Sequence, residues 1–413
     1  MSMRIKISLP ALEKVMKAEK VEQYKLKKLL INALIIRLFI CVLVLLVGKN
    51  MNEIYFISDD AAYENLAKAY LQSASSPIDL GALTLIGATG YLQIFWPYVV
   101  CISAYVFHSI YAARFINVFL SILTIKLIYD LTKSISNNHP TAIRAARIYA
   151  YLPYPILVCC FPIKDIYLTV AVLYVFVIFI KFQNLQKITI IQFILSIMLL
   201  IGAYFTRGGV VEMMSLFFIA FLMKRFADTH NYAAIMLCIT FTFVFLYVFG
   251  GLIFDSFSIK IDNYGGYAQM DTTISAIQMS SVTQIYKLPF TYFFASLQPI
   301  PLSLFTPEAG KMWSQLIYYG NLTMIPVACG NFLYIFYKKK NSLFWICSAV
   351  MYCAVTTLSL GIFRHYLFLL PLEMINYSLY MENATQVKRS NCLVFAACCF
   401  VMILLYSCYC LIR

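Results

Sequence analysis

The stretch LLINALIIRLFICVLVLLV, residues 29–47, decides the fold class of this chain. It carries a single charge, Arg37, and it is close to the roughly 20 residues that an apolar helix needs to cross a bilayer. Residues 1–28 before it are long, Lys-rich and of mixed charge, and no small-residue cleavage site follows the run. We therefore expect this segment to remain as the first membrane span rather than to be removed as a signal peptide.

The rest of the chain has the same character. Of its 413 residues 62% are hydrophobic and only 12% charged, and the mean hydropathy is +0.80. The apolar runs predict an all-α, polytopic transmembrane helix bundle of about eleven spans. Such a composition leaves little chain for a soluble nucleotide-binding domain, and it excludes a secreted disulfide scaffold and a nucleic-acid binder. The 13 cysteines lie mostly inside apolar runs without zinc-ligand spacing, so no metal site is predicted from them.

Basic residues predict the orientation, because Lys and Arg gather in cytoplasmic loops. With a cytoplasmic N-terminus, 20 of the 32 Lys and Arg residues fall on the inner side and nine on the outer side. The net charge of +14 therefore reflects topology and does not indicate a polyanionic partner. The predicted spans lie near residues 29–47, 110–131, 141–158, 166–182, 188–205, 209–223, 232–252, 315–337, 342–361, 366–381 and 391–412.

The chain divides into three predicted parts. Residues 1–28, with apolar side chains at helical spacing, predict a cytoplasmic surface helix. Residues 29–230 form an N-terminal membrane module with an outer loop at 48–109, and residues 231–413 form C-terminal spans with an outer loop at 253–314. Within the first loop, residues 91–107 contain a proline and are interpreted as an interfacial or re-entrant helix on the outer side.

The stretch ISDDAAYENLAKAYLQ, residues 57–72, predicts an amphipathic outer-surface helix. Ser58 is a good N-cap, which places Asp59 and Asp60 in the first turn. The helix N-terminus favours ionised carboxylates there. The pair can accept a proton from a hydroxyl or hold a cation, and the alternative is that both aspartates only cap the helix.

Residues 162–165 repeat this pattern, because Pro162 precedes an acid in the first turn of an apolar helix. Lys164 and Asp165 border the membrane, where charges are costly unless they are paired or functional. Lys164 and Asp165 therefore either belong to a site on the outer face or only anchor the helix at the membrane interface.

Arginines are scarce on the outer side, which draws attention to those at span ends. Arg207 precedes two glycines that leave backbone N–H groups approachable by an anion. Arg364 and His365 stand between two later spans, and Arg114 stands at the outer end of the second. These residues predict either an anionic ligand or snorkelling to lipid phosphate. Glu212 is expected to pair with Arg207 or to join the site.

Residues 59–67, Asp-Asp-Ala-Ala-Tyr-Glu-Asn-Leu-Ala, resemble the "DE-x-x-Y-x-x-x-A" motif of the GT-C superfamily. These are polyprenyl-phosphate-sugar-dependent glycosyltransferases, including protein O-mannosyltransferases and the bacterial transferase that adds aminoarabinose to lipid A. Arg114-Phe-Ile-Asn117 is similar to the family's "R-x-x-N/S" motif, and a basic turn, a proline-rich span end and Asp165 follow in order. Arg364-His365-Tyr366 with Pro371 is similar to a late "R-Y-x-x-x-x-P" motif. The resemblance covers residues 29–230.

The resemblance implies a GT-C-like module and inverting sugar transfer from a polyprenyl-phosphate donor to a hydroxyl of a glycan or lipid-glycan acceptor. It implies Asp59 as the base, although Asp-Asp replaces the usual Asp-Glu and leaves open whether Asp60 takes this role. Asp165 is expected to orient the acceptor or the base, or to share a divalent cation, Mg²⁺ or Mn²⁺, with Asp59. The lipid phosphate is assigned to Arg207 and Arg364, with Lys164, Arg114 and His365 in support.

The implied location is a bacterial inner (plasma) membrane, with the chain crossing it many times. The Tyr- and Pro-rich loop 253–314 is expected to cover the acceptor or the donor. Two other functions remain open: a polysaccharide repeat-unit polymerase, and a transporter or flippase of lipid-linked oligosaccharides. A polymerase function does not explain the Asp59-Asp60 pair. Transporters place ionisable groups at the midplane of the membrane, whereas those of this chain lie at one surface.

Overall fold

The computed structural model describes residues 9–51, 58–87, 94–240, 242–244, 247, 286, 288–297, 312–334, 342–359 and 366–412. Within these residues every regular element is a helix. In the N-terminal half the helices are α1 (Leu9–Met51), α2 (Ser58–Ser73), α3 (Leu80–Gly87), α4 (Phe95–Phe107), α5 (Ala112–Ser136), α6 (His139–Tyr151), α7 (Pro153–Val158), α8 (Asp165–Gln183) and α9 (Ile190–Asp228). In the C-terminal half they are α10 (Leu288–Leu297), α11 (Met312–Asn321), α12 (Ile325–Tyr334), α13 (Ser342–Ser359), α14 (Leu370–Asn383) and α15 (Gln386–Ile412), with a 3₁₀ turn at Leu322–Met324.

Five stretches of helix are long and apolar enough to cross a membrane: Lys20–Lys49, Ala112–Ser136, Asp165–Gln183, Ile190–Arg207 and Gln386–Leu405. The protein is therefore a helical bundle with several apolar helices, which agrees with the predicted class. The predicted number of about eleven spans is not reached among the described residues. Several predicted spans are shorter helices there, and that at 232–252 runs beyond the described ranges.

The predicted surface helix and first span are one element. Helix α1 continues for 43 residues from Leu9 to Met51. No glycine or proline lies between Pro10 and Gly48, so nothing in the sequence breaks the helix near residue 28. Leu26 packs against the main core, which ties the basic part of the helix to the bundle.

The predicted span at 141–158 is broken into α6 and α7. Leu152 adopts an extended conformation, with φ −68° and ψ 129°, as expected for a residue before proline. Pro153 has no N–H, so it cannot donate to the carbonyl of Tyr149. The break leaves the Tyr149 and Ala150 carbonyls at the helix end without the usual backbone donors.

Arg37 of α1 occupies this break. Its side chain is fully buried, and its guanidinium donates to Ala150 O at 2.9 Å and to Tyr149 O at 3.1 Å. Its Nε donates to Ser121 Oγ of α5 at 2.9 Å. A cation is favourable at a helix C-terminus, so the single charge of the first apolar run acts as a cap that joins three helices.

Helix α9 reverses direction at Arg207. Tyr167 near the start of α8 donates to Leu199 O at 3.0 Å, so the first part of α9 runs antiparallel to α8. Phe176 then stacks on Phe217 at 6.1 Å between ring centroids, so the second part runs parallel to α8. Arg207 itself is non-helical, with φ −162° and ψ 89°. This break coincides with the predicted separation of spans 188–205 and 209–223.

Helix α4 is too short to cross a bilayer, since it has 13 residues. It packs against α2 through Trp96 and Val100, which share a small core with Tyr63 and Ala67. The interfacial or re-entrant position expected for residues 91–107 stays a prediction.

Candidate functional site

The candidate site lies at one end of the N-terminal helices, which we term the site end. It contains the start of α2, helix α4, the start of α5, the break at Arg207 and a short connection at residues 159–164, which we term the strap. The strap joins α7 to α8 and contains Pro162. Because it is not helical, its backbone groups need partners from elsewhere.

Side chains from α4 and α5 supply these partners. Asn117 donates from one Nδ2 to Phe161 O at 2.7 Å and to Ile163 O at 2.9 Å. Trp96 donates from Nε1 to Pro162 O at 2.8 Å. Both side chains are buried. The strap is thus fixed at three consecutive carbonyl groups, immediately before the acid that opens α8.

A fully buried ion pair joins α2 to α5. Arg114 Nε lies 2.6 Å from Glu64 Oε1, and both side chains are 0% exposed. A second guanidinium nitrogen donates to Cys160 O at 3.4 Å, at the start of the strap. The guanidinium carbon lies 5.6 Å from the Tyr111 ring centroid and 5.5 Å from that of Phe161. Arg114 is therefore enclosed by protein groups.

A second ion pair joins α8 to the break in α9. Arg207 Nη2 lies 3.3 Å from Asp165 Oδ1, with the Arg207 side chain 19% exposed and the Asp165 side chain 1% exposed. Asp165 is the first residue of α8, where the helix N-terminus favours an anion. The Arg207 guanidinium also lies 5.9 Å from the ring of Phe368, just before α14.

The expected pairing of Arg207 with Glu212 does not form. Arg207 instead reaches Asp165, because the chain reverses at Arg207 and turns its side chain toward the start of α8. Glu212 Oε2 is buried without a hydrogen-bond partner among the described residues.

The two aspartates of α2 occupy the first helical turn, as expected. Asp60 is fully buried and its Oδ1 accepts a hydrogen bond from Ala61 N at 3.1 Å. Asp59 is partly exposed. One turn further on, α2 packs through Tyr63 into the same small core as Tyr167, two residues beyond Asp165. This packing places the start of α2 beside the start of α8.

The far end of α2 is held by a polar turn. Asp79 accepts hydrogen bonds from Ser75 N and Ser75 Oγ, each at 2.9 Å, and from Ala82 N at 3.1 Å. These bonds lower the pKa of Asp79 to about 2. Tyr70 of α2 accepts from Asp79 N at 3.0 Å, which joins the turn to the helix.

The structure therefore brings several of the predicted site residues to one end of the bundle: Asp59, Asp60, Arg114, Lys164, Asp165 and Arg207. Lys164 is buried and stands at the N-cap of α8. Arg364 and His365 lie outside the described residues, as does most of the predicted loop 253–314. The residues that structure adds are Glu64 and Trp96. Glu64 follows Asp60 by one helical turn, which is the only sequence signal that points to it.

No group of three or more His, Cys, Asp or Glu side chains suited to a metal ion is found among the described residues. The divalent cation expected between Asp59 and Asp165 thus stays a prediction. No protein-family model, curated protein or solved structure matches the chain. The resemblance to the GT-C superfamily accordingly rests on the sequence motifs alone.

Proposed function

We propose that this protein is an inverting membrane glycosyltransferase of the GT-C type. It transfers a sugar from a polyprenyl-phosphate donor to a hydroxyl group of a glycan or lipid-glycan acceptor at the non-cytoplasmic face of a bacterial inner membrane. The observation that carries the proposal is the site end itself. There, the partly exposed Asp59 opens the helix whose Glu64 pairs with Arg114 beside the strap, and the partly exposed Arg207 pairs with Asp165 directly after the strap. Trp96 and Asn117 fix the carbonyl groups of the strap.

Asp59 is assigned as the general base. It is the more accessible of the two aspartates, because Asp60 is fully buried. A base that removes the acceptor proton during attack contributes roughly 10²–10⁴-fold to the rate. Asp60 then holds the start of α2 rather than touching the acceptor.

Arg207 is assigned to the lipid phosphate. Among the described members of the predicted phosphate set it is the most exposed, with 19% of its side chain accessible. Arg114 is fully buried against Glu64, so the proposal gives it the role of holding the strap. Lys164 contributes positive charge beside the pair, and Arg364 and His365 remain proposed members of the set.

In the transfer step, the acceptor oxygen forms a bond to the anomeric carbon while its proton passes to Asp59. The bond from that carbon to the phosphate oxygen breaks. The electron pair of the broken bond stays on the lipid phosphate, which gains negative charge next to Arg207. Preorganised positive groups at the atom that gains charge are an effective way to stabilise such a transition state.

Asp165 is proposed to position Arg207. Its side chain is almost fully buried and faces the guanidinium at 3.3 Å. A guanidinium in that position repels a divalent cation, so the proposal routes no step through a metal. An unchanged rate in the presence of a chelator is the expected result.

Transfer assays in membranes supplied with donor and acceptor test the proposal. We expect Asp59→Asn and Asp165→Asn to abolish transfer at unchanged expression, whereas Asp79→Asn, at a partly exposed turn, keeps it. Full activity in Asp59→Asn, in Asp60→Asn and in the double variant would remove the mechanism. A product with one added sugar supports a transferase, a ladder supports the polymerase, and movement of donor across the bilayer without labelling of acceptor supports the transporter.

A further inference from the structure

A second polar cluster lies in the C-terminal half and is formed by side chains to which the proposed reaction assigns no role. It is built by α10, α12, α13 and α14 around Glu373, which is 1% exposed. Asn331 of α12, Asn376 of α14 and Ser296 of α10 are all fully buried beside it. A carboxyl group at such depth is expensive unless it is neutral, paired or functional.

The hydrogen bonds of this cluster fix the direction of each amide. Ser296 Oγ donates to the carbonyl of Tyr292 at 3.0 Å, because a carbonyl oxygen can only accept. Ser296 Oγ must therefore accept from Asn331 Nδ2, which lies 3.2 Å away. This contact places Asn331 Oδ1 on the other side of its amide group, where it accepts from the Tyr292 hydroxyl at 3.0 Å.

Asn376 is oriented by the same chain. Its Nδ2 donates to Asn331 Oδ1 at 2.9 Å, so its own Oδ1 points elsewhere as an acceptor. That oxygen is buried and has no hydrogen-bond partner among the described residues. Glu373 Oε2 is also buried and has no hydrogen-bond partner among the described residues. Two buried acceptor atoms are thus left over in a cluster whose amide donors are already used.

The two acceptors belong to neighbouring side chains. Glu373 and Asn376 are three residues apart on α14, so they lie on one helix face within reach of each other. The titratable groups around the carboxyl are phenols: Tyr352 of α13, Tyr292 of α10, and Tyr366, which neighbours Tyr352. The Tyr352 side chain hydrogen-bonds the Glu373 carboxyl group, and Oε2 is the carboxyl oxygen that is left without a partner. The salt bridges in the described part of the chain include none to Glu373, although α5, α6 and α12 also pack against α14.

We propose that Glu373 is a proton-binding site and that its carboxylic acid O–H donates to Asn376 Oδ1. One added hydrogen then satisfies both unpartnered oxygens at once, and it removes an unpaired charge from the interior. A bound cation would have to replace several water oxygens with protein oxygens, yet the cluster offers a single carboxylate, and Asn331 Oδ1 already accepts two hydrogen bonds. The proposal is independent of the function proposed above.

Infrared spectroscopy of the full chain in lipid nanodiscs at neutral pH tests this directly. We expect a carbonyl band of a neutral carboxylic acid that is lost in Glu373→Gln. Glu382→Gln is the matched control, because Glu382 lies on the same helix and accepts from Asn138 Nδ2 at 2.9 Å. It should leave the band in place. A spectrum without any band that depends on Glu373 would overturn the proposal.

A second variant tests the acceptor. Asn376→Leu should keep the neutral-acid band but shift it, because the acid loses its hydrogen-bond acceptor. An unshifted band would remove the proposed bond to Asn376.

Thermal unfolding experiments distinguish a proton-binding site at Glu373 from a cation-binding site. Glu373→Gln keeps a neutral donor at this place, so its unfolding temperature should match that of the wild type whether Na⁺ or K⁺ is present. A wild type that is stabilised by one of these cations, together with a Glu373→Gln variant that loses this response, would show a cation site and overturn the proposal.

Discussion

The site end contains two ion pairs that differ in their surroundings. In the pair of Glu64 and Arg114 both side chains are 0% exposed, and the nearest atoms are 2.6 Å apart. In the pair of Asp165 and Arg207 the atoms are 3.3 Å apart, and the arginine is 19% exposed. The first pair links the middle of α2 to the first turn of α5, whereas the second links the N-terminus of α8 to the break in α9.

This difference indicates that the first pair stabilises the fold, whereas the arginine of the second pair can still bind a ligand. A buried pair is stabilising only while both partners are present, since either one alone is an uncompensated charge. Arg114 has exchanged water for Glu64, Cys160 O and two rings. Arg207 keeps part of its surface free, so an anion can reach it without first breaking the bundle. The strap lies between the two pairs along the chain, because Arg114 donates to Cys160 O and Arg207 pairs with Asp165.

The largest expected effect is that of Arg114→Met. It removes the positive charge that faces the buried Glu64 carboxylate at 2.6 Å, so we expect a loss of about 3–5 kcal/mol in the free energy of unfolding. Denaturant unfolding of the purified protein measures this. Lys126→Met is the control, because its pair with Asp130 is exposed and is worth about 1 kcal/mol or less. A double variant, Glu64→Gln with Arg114→Met, should recover part of the loss, and a single-variant loss below about 1 kcal/mol would contradict the comparison.

Asn117→Leu tests whether the strap connects the pairs. It removes the donor of two buried carbonyl groups in the strap, and we expect it to cost about 2–3 kcal/mol. The matched control is Asn184→Leu, because Asn184 is exposed and its amide donates to Ser134 O at 3.2 Å. This variant should cost about 0.5 kcal/mol or less. Equal losses in the two variants would show that the strap needs no such support.

Arg207→Met should separate stability from activity. We expect a loss of only about 1–2 kcal/mol, because the N-terminus of α8 continues to stabilise Asp165. Transfer should nevertheless be lost, and Arg207→Lys should lower kcat more than it raises the KM for the donor, because the lost interaction is strongest in the transition state. Arg225→Met, which removes a cation 4.0 Å from the Phe182 ring centroid, is the control with normal transfer. If Arg207→Met is as unstable as Arg114→Met, the two pairs do not differ as described.

The smallest effect concerns the turn that ends α2. The pKa of Asp79 is lowered from 3.8 to about 2 by its hydrogen bonds to Ser75 and Ala82. Since the folded state favours the ionised form of Asp79, this carboxylate stabilises the fold fully at pH values above 3.8. The stabilisation is lost as the pH falls through about 2. Hydrogen exchange at Ser75 N and Ala82 N should therefore be faster in Asp79→Asn at pH 7. The difference should vanish below about pH 2, and a difference that is the same at every pH would contradict the assignment.

Parts of this site could be predicted from the sequence because they depend on near neighbours. Ser58, Asp59 and Asp60 begin an amphipathic helix, and the Arg-Gly-Gly sequence at residues 207–209 breaks an apolar one. The pairing of charges could not be predicted in this way. Glu64 and Arg114 are 50 residues apart in the chain, and Arg207 selects Asp165 over the nearer Glu212 because of where the chain reverses.

The sequence by itself determined that this is a chain of apolar helices, and it determined where several of them begin and break. These properties follow from composition, periodicity and the missing N–H of proline, all of which act over a few residues. Only the tertiary structure decided which charges meet, which are enclosed and which still reach the surface. The reason is that the energy of a charge depends on the atoms packed around it, and those atoms come from distant parts of the chain.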